Sequence, residues 1–575
     1  MASGVVERVR ATDDTWRFLA VIVLGGGVLR FLKLGSRPFW SDEALYSLGS
    51  MEVVQNLVFY PHYPTSGALV TGHPPLFYFI TGGVARIAGT TSEFVMRFPT
   101  AVLGLLTVPV IYLLGEELFD RRTGILTALF LSVSTTHVIY SREALPVAMA
   151  MFFVSLAALA LVKWVPPAGP RQIAAIVGLS LAALLSHFMN YSLFFLFAGL
   201  IGVAYWRDRQ VPRKSLYIFL GLLVFAVSLM FFTLNQSTPP KTPNPVKGSI
   251  GLDEGIVSSA GAVPTFAGWI WGMVSSLSLG SYVSVLVEAL QLYFNETVAY
   301  ASLPLFLVPL LYAVWRYWQG IDAADIEHIE SLVLTYLWFL GTLAMIVLFI
   351  WPVYAHQGLR PVRAYPFLLI PFILVIGAGA ARLWEMEGRW GLVLPAVFVF
   401  LSVTHAVPVA ADTPVYMDVD EVFFDVDPLN AKVWFQSFHT FQEADTITCG
   451  DDPVGEWFVC YPDHPVGYSD SIDWRAATAA TLSRADRNAT FYVSVAPAFV
   501  YYAGDGEELD VTGLQCNVDH RFCNIRERIS SSARPVWIVA DEERYSWQLN
   551  ASEREYVENN CDGWNQGNVN IFRCT

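Results

Sequence analysis

The sequence predicts a polytopic all-α membrane protein with about eleven transmembrane helices and a C-terminal exterior soluble domain of mixed α/β character. Three observations carry that prediction. The 575 residues are 54% hydrophobic and only 15% charged, with mean hydropathy +0.46, against roughly 25% charged residues in a soluble domain. Uncharged stretches close to the ~20 residues that span a bilayer recur along the chain. The charge is also segregated: from Ala410 onward there are 28 acidic and 11 basic residues, net −17, which leaves the preceding 409 residues at +2. This composition excludes a soluble enzyme, a disordered chain and a nucleic-acid binder.

The first apolar stretch, Trp16 to Leu34, is too long for a signal-peptide core and lacks a small-residue cleavage site. It reads as a signal anchor with Arg8 and Arg10 inside. Ten further spans follow at Phe98–Leu118, Gly124–Tyr140, Pro146–Lys163, Ile173–Ser186, Phe188–Trp206, Leu216–Leu234, Leu303–Tyr317, Leu332–Trp351, Pro366–Arg382 and Leu392–Val409. Pro75–Ala88 is short, and Phe266–Val287 is Ser/Gly-rich after a Pro-rich loop; counting both as spans would invert everything between them. The positive-inside rule decides. Eleven spans leave Arg121, Arg122, Lys163, Arg171, Arg207, Arg209, Arg213 and Lys214 cytoplasmic, whereas thirteen leave only Arg97, Arg142, Lys241 and Lys247. Pro75–Ala88 then lies in the outer interface, and Phe266–Val287 is re-entrant or interfacial.

The resulting map divides the chain into a membrane domain, 1–409, and an exterior domain, 410–575. The first outer loop is 35–96 and the large outer loop is 235–302. The N-terminus is cytoplasmic and the C-terminal domain extracellular. All six cysteines (Cys449, Cys460, Cys516, Cys523, Cys561, Cys574) lie in the exterior block. They suggest up to three disulfides in an oxidising compartment; no C-x-x-C pair favours zinc. The sequons at Asn488 and Asn550 fall there too. Six lysines in all, beside so many acids, are typical of halophile surfaces. The chain has no Walker A motif and no soluble inner domain, so its chemistry belongs on the outer leaflet.

The polar residues on that face form a short series. Trp40-Ser41-Asp42-Glu43-Ala44-Leu45-Tyr46 follows the first span. Two adjacent carboxylates at a membrane surface are either solvated loop charges in an aromatic belt or functional groups. A partly desolvated Asp42 beside Glu43 suits a general base. His73-Pro74-Pro75-Leu76 comes later in the loop, and Arg97-Phe98-Pro99 opens the second span. Each has a bland reading, as a loop histidine and a snorkelling anchor. Ser141-Arg142-Glu143-Ala144 is either a surface ion pair or the source of a second carboxylate. His187 sits in a polar turn between apolar flanks. Arg360, Arg363 and Tyr365 precede the tenth span, and the arginine fork suits phosphate.

In order and common face, these elements resemble the GT-C glycosyltransferases of the protein O-mannosyltransferase and aminoarabinose-transferase type, over residues 16–385. The stretch from Trp40 to Tyr46 is similar to the family's W-x-D-E-A-x-Y, and His73-Pro74-Pro75-Leu76 to its H/K-P-P-L. Arg97-Phe98-Pro99 resembles R-x-P, and Arg360 to Pro366 a late R-Y-x-x-P element, with Ala364 standing between Arg363 and Tyr365. The resemblance implies an enzyme moving a mannose-like hexose, with inversion, from a polyprenyl or dolichyl monophosphate carrier to a glycan or protein acceptor. Asp42 would be the base, with Glu43 and Glu143 orienting the acceptor or tuning that base. His73, Arg97, Arg142, His187, Arg360, Arg363 and Tyr365 would bind substrate. No cofactor is certain and no metal ligands are assigned, although a divalent metal is compatible with this chemistry. Val147 stands where many members carry Asp, and no W-W-D motif of oligosaccharide transfer is present. A transporter or lipid-linked-sugar flippase is the competing reading. It predicts ionisable residues deep in the spans and two similar halves. A receptor or scaffold, in which the acidic tail does the work, would leave Asp42 dispensable.

Overall fold

The computed structural model describes residues 2–39, 41–62, 74–236, 297–319, 323–346 and 366–411, and most of 473–574. His73, Arg360, Arg363, Tyr365 and the stretch Phe266–Val287 lie outside the described residues.

Helix α1 (Ala2–Phe31) carries the first expected span, and a short turn leads to α2 (Ser41–Asn56) on the first loop. The stretch beginning at Pro75 forms α3 (Leu76–Ala88), closed by Gly89 in the left-handed conformation. Helix α4 (Glu93–Leu118) holds the second expected span. Helices α2 and α3 pack unusually close: a Cβ on Gly82 would sit 2.1 Å from the Ser50 carbonyl oxygen, so only glycine fits there.

The third expected span, Gly124–Tyr140, is not one helix. It is α5 (Arg121–Val133) followed by α6 (Thr135–Ser141), bent by 60°. Ser134 makes the break: its backbone turns extended, and its hydroxyl accepts the His137 N–H to cap α6. Six more helices match expected spans: α7 (Pro146–Trp164), α8 (Pro170–Ser186), α9 (Leu193–Asp208), α10 (Arg213–Gln236), α11 (Thr297–Gln319) and α12 (Ala323–Met345). The last pair, α13 (Leu369–Glu387) and α14 (Val393–Ala410), is joined by the 3-10 turn Gly388–Leu392. Among the described residues six stretches are long and apolar enough to cross a membrane, or seven with the bent pair. The chain is a multi-pass membrane protein, built on one continuous apolar core that runs from Leu19 to Phe398.

The C-terminal region is α/β. In order come α15 (Trp474–Leu482), β1 (Thr490–Val493), α16 (Ala496–Ala503), β2 (Asp510–Gly513), α17 (Ile525–Ser531), β3 (Val536–Asp541), α18 (Ala551–Asn560), β4 (Cys561–Gln566) and β5 (Val569–Cys574). The sheet order is β2-β1-β3-β5-β4, parallel among the first three strands and antiparallel among the last three. Strand β3 is buried at every position, as a central strand covered on both faces should be. Cys561 and Cys574 face each other across β4 and β5 and are joined by a disulfide. The other four cysteines lie outside the described residues.

Candidate active site at the start of the first loop

Asp42 and Glu43 occupy the first turn of α2, where the helix dipole favours carboxylates. Their surroundings differ sharply. Asp42 is partly exposed, while Glu43 is fully buried and locked. Arg97, on α4, donates to it through Nε (2.7 Å to Oε1) and Nη2 (2.6 Å to Oε2). The Ala144 N–H donates to Glu43 Oε1 at 2.8 Å. The rest of the Arg97 guanidinium reaches the carbonyls of Leu34 (3.2 Å), Arg37 (2.8 Å) and Pro38 (3.2 Å), and its plane lies 4.9 Å from the Phe39 ring. Arginine has five N–H donors, and all five are used. Arg97 thus clamps the loop between α1 and α2, with Glu43 as its counter-ion.

Arg142 has a similar structural task. Its Nη1 reaches the carbonyls of Leu29 (3.3 Å), Arg30 (3.3 Å) and Leu32 (2.6 Å), capping the C-terminal end of α1. Arg30, buried at the end of α1, returns the favour to α5. It donates to the carbonyls of Ser132 (3.0 Å) and Leu131 (3.4 Å) and lies 2.7 Å from His137 Nδ1. The break at Ser134 exposes those carbonyls, so each of two helix ends is closed by an arginine from elsewhere. Sequence reasoning missed Arg30. A charge inside the apolar run Val28-Leu29-Arg30-Phe31-Leu32 was the available signal.

Glu143 is buried beside Asp42's loop, its Oε1 3.9 Å from Arg37. Its carbonyl accepts from the Thr100 hydroxyl at 2.8 Å. The close approach depends on Gly104 of α4, where a Cβ would lie 2.1 Å from Ser141 Oγ. Val147 is buried in the apolar core, so α7 supplies no carboxylate at that point. His187 faces inward: its Nδ1 accepts the Met189 N–H at 3.1 Å, and its ring lies 4.3 Å from that of Phe367. It caps the turn before α9, a role that fits the structural reading over substrate binding.

The structure thus brings Asp42, Glu43, Arg97, Arg142 and Glu143 together at the junction of α1, α2, α4 and α6. Two tyrosines stand near this group and were not singled out from sequence. Tyr78 stacks on Tyr46, one turn beyond Asp42, at 5.8 Å between ring centres. Tyr60 is buried against Phe232, which pushes its phenol up to about 12. Among the described residues no group of three or more His, Cys, Asp or Glu is placed to hold a metal ion. Both Glu43 oxygens are spent on Arg97 and Ala144, so the acidic pair does not fit a divalent cation.

Residues 72–231 match the family model for dolichyl-phosphate-mannose-protein mannosyltransferase. That segment holds α3 to α10 and begins after the acidic pair. No curated protein matches the chain. Among solved structures, ArnT from Cupriavidus metallidurans, bound to undecaprenyl phosphate, is 14% identical with TM-score 0.52, and 98% of each chain is covered. The Archaeoglobus fulgidus oligosaccharyltransferase is 15% identical with TM-score 0.40, over 69% of this chain. This chain spans 52%, about half, of that longer protein. The Saccharomyces cerevisiae protein O-mannosyltransferase Pmt1-Pmt2 complex is 19% identical over 39% of this chain, with TM-score 0.30. Only the ArnT likeness is close enough to speak for the fold, and it covers both the helical body and the C-terminal sheet. Residues 72–231 thus carry the match to the mannosyltransferase family model, and the chain as a whole shares its fold with ArnT.

Proposed function

We propose that this protein transfers a sugar, a mannose-like hexose, from a polyprenyl or dolichyl monophosphate carrier to a hydroxyl of a glycan or protein acceptor. The reaction takes place on the outer face of the membrane. The supporting observation is the division of labour in the acidic pair: Glu43 is consumed by Arg97 and Ala144, while Asp42 is left partly exposed at the helix start. In this reading Asp42 takes the proton from the acceptor hydroxyl as its oxygen attacks the anomeric carbon. The bond from that carbon to the phosphate oxygen breaks on the opposite face, which inverts the configuration. The leaving phosphate carries charge instead of needing a proton, so cationic groups replace an acid. With Arg97 and Arg142 committed to carbonyls, that role passes to His73, Arg360 and Arg363, with Tyr365 beside them. Residues 1–409 form the transferase body, with the N-terminus inside and residues 410–575 outside.

The test uses the purified chain in lipid nanodiscs with dolichyl phosphate mannose and a surface glycoprotein and lipid extract as acceptors, following release of dolichyl phosphate. Asp42→Asn should slow release by about 10²–10⁴, the usual contribution of a general base. Equal release by wild type and a well-folded Asp42→Asn would sink the assignment.

A further inference from the structure

The C-terminal domain does not merely hang beside the membrane body. Phe39, Ala44, Ala85, Met96 and Ala144 from the first loop and its neighbours share one buried apolar cluster with Trp474, Phe491, Phe499 and Trp537 of the C-terminal domain. Two of these, Phe39 and Ala44, flank the Asp42-Glu43 pair. The Phe39 ring meets Tyr501 edge to face at 4.9 Å, with the Arg97 guanidinium also in contact with it.

A chain of hydrogen bonds runs through the same contact. The Phe39 N–H donates to the Tyr502 hydroxyl at 2.6 Å, and that hydroxyl donates to Glu93 Oε1 at 3.0 Å. Arg475 of α15 pairs with the same Glu93 oxygen, and the Tyr501 hydroxyl donates to the Thr91 carbonyl. Glu93 begins α4, and Arg97 lies four residues on, so the two project from one face, a turn apart. Glu93 receives the exterior domain, and Arg97 grips the carbonyls of Leu34, Arg37 and Pro38. Phe39 is therefore held through its N–H from outside, while the residues before it are held from below. Only Trp40 and Ser41 separate this doubly pinned residue from Asp42.

We propose that Tyr502 is a positioning residue for Asp42: through the Phe39 N–H and Glu93, the C-terminal domain fixes the entry of α2 and so the place of the base. The inference rests on the reading of Asp42 as the base, and it gives the C-terminal domain a part in the reaction rather than a protective one. A base held to within a fraction of an ångström loses efficiency quickly when its anchor loosens, because proximity contributes only at a near-attack geometry.

The full-length protein in nanodiscs tests this with two readouts: amide exchange over residues 37–46, and turnover of dolichyl phosphate mannose at varied donor concentration. Tyr502→Phe keeps the ring and removes both hydrogen bonds. Exchange at the Phe39 amide should quicken about ten-fold, as expected for one lost buried bond, and kcat should fall by a similar factor with KM unchanged. Tyr501→Phe, whose hydroxyl bonds Thr91, should leave Phe39 exchange slow. Unchanged Phe39 exchange in Tyr502→Phe overturns the clamp. Faster exchange with undiminished kcat overturns its positioning role. A parallel Asp42→Asn arm separates the two ideas: full activity there defeats the base assignment, while the exchange readout still decides whether the domains are coupled.

Discussion

Arg97 shows how far one residue's chemistry depends on its neighbours. An arginine at the mouth of a span, close to two carboxylates, suggests a phosphate ligand; in place, it closes five hydrogen bonds around the loop that carries Asp42. Its loss should look structural. Methionine keeps an apolar stem but removes the charge and every donor, so Arg97→Met should cost about 3–5 kcal/mol, the range for breaking a buried pair. Thermal unfolding in detergent measures this. Affinity of the surviving folded protein for dolichyl phosphate should be unaltered; a weakened Kd with unchanged stability would restore the ligand role. The acidic pair itself was legible in sequence, because two adjacent carboxylates after an apolar span are conspicuous. Which of them is buried was not, since that depends on Arg97 and Ala144, 54 and 101 residues away.

At the scale of elements, hydropathy located helical chain at each expected span but not its straightness. The run Gly124–Tyr140 reads as one apolar segment, yet Ser134 offers its hydroxyl to the His137 N–H and turns the chain by 60°. A serine's competition with the helix is a local choice that an average over twenty residues hides. Close approaches are equally invisible to hydropathy. Gly104→Ala would press a methyl into Ser141 and should cost about 1–3 kcal/mol as overpacking, displacing Arg142 and Glu143 with it. The double variant Gly104→Ala/Ser141→Gly should regain most of the lost Tm; failure to do so would place the strain elsewhere. In the C-terminal sheet, the Cys561–Cys574 bridge closes a loop of sequence separation 13. Replacing both cysteines with alanine should lower stability by about 3 kcal/mol, read as earlier unfolding of residues 561–574 by amide exchange.

For the whole molecule, the division between a near-neutral body and an acidic cap was plain from charge arithmetic. Their joining was not. It rests on Tyr501, Tyr502 and Arg475, which meet Thr91, Glu93 and Phe39 from about four hundred residues away, and no local pattern marks them. Burial raises both tyrosine phenols well above their ordinary range, and the Glu93 charge adds to the effect. In the undocked state they would ionise near pH 10. Above that pH the undocked form releases protons that the docked form keeps, so docking should weaken as pH rises through about 10 and stay constant from 7 to 9. Limited proteolysis of the full-length protein across that range measures it. The double variant Tyr501→Phe/Tyr502→Phe should flatten the profile.

The order of synthesis gives the Phe39–Tyr502 contact a further meaning. Phe39 leaves the ribosome 463 residues before the tyrosine that braces it. A nascent body without its C-terminal domain would have the start of α2 held by Arg97 and Ala144 but not yet braced through Phe39 by Tyr502. The bracing of Phe39 would then arrive only once the C-terminal domain has folded and settled onto Glu93 and Phe39.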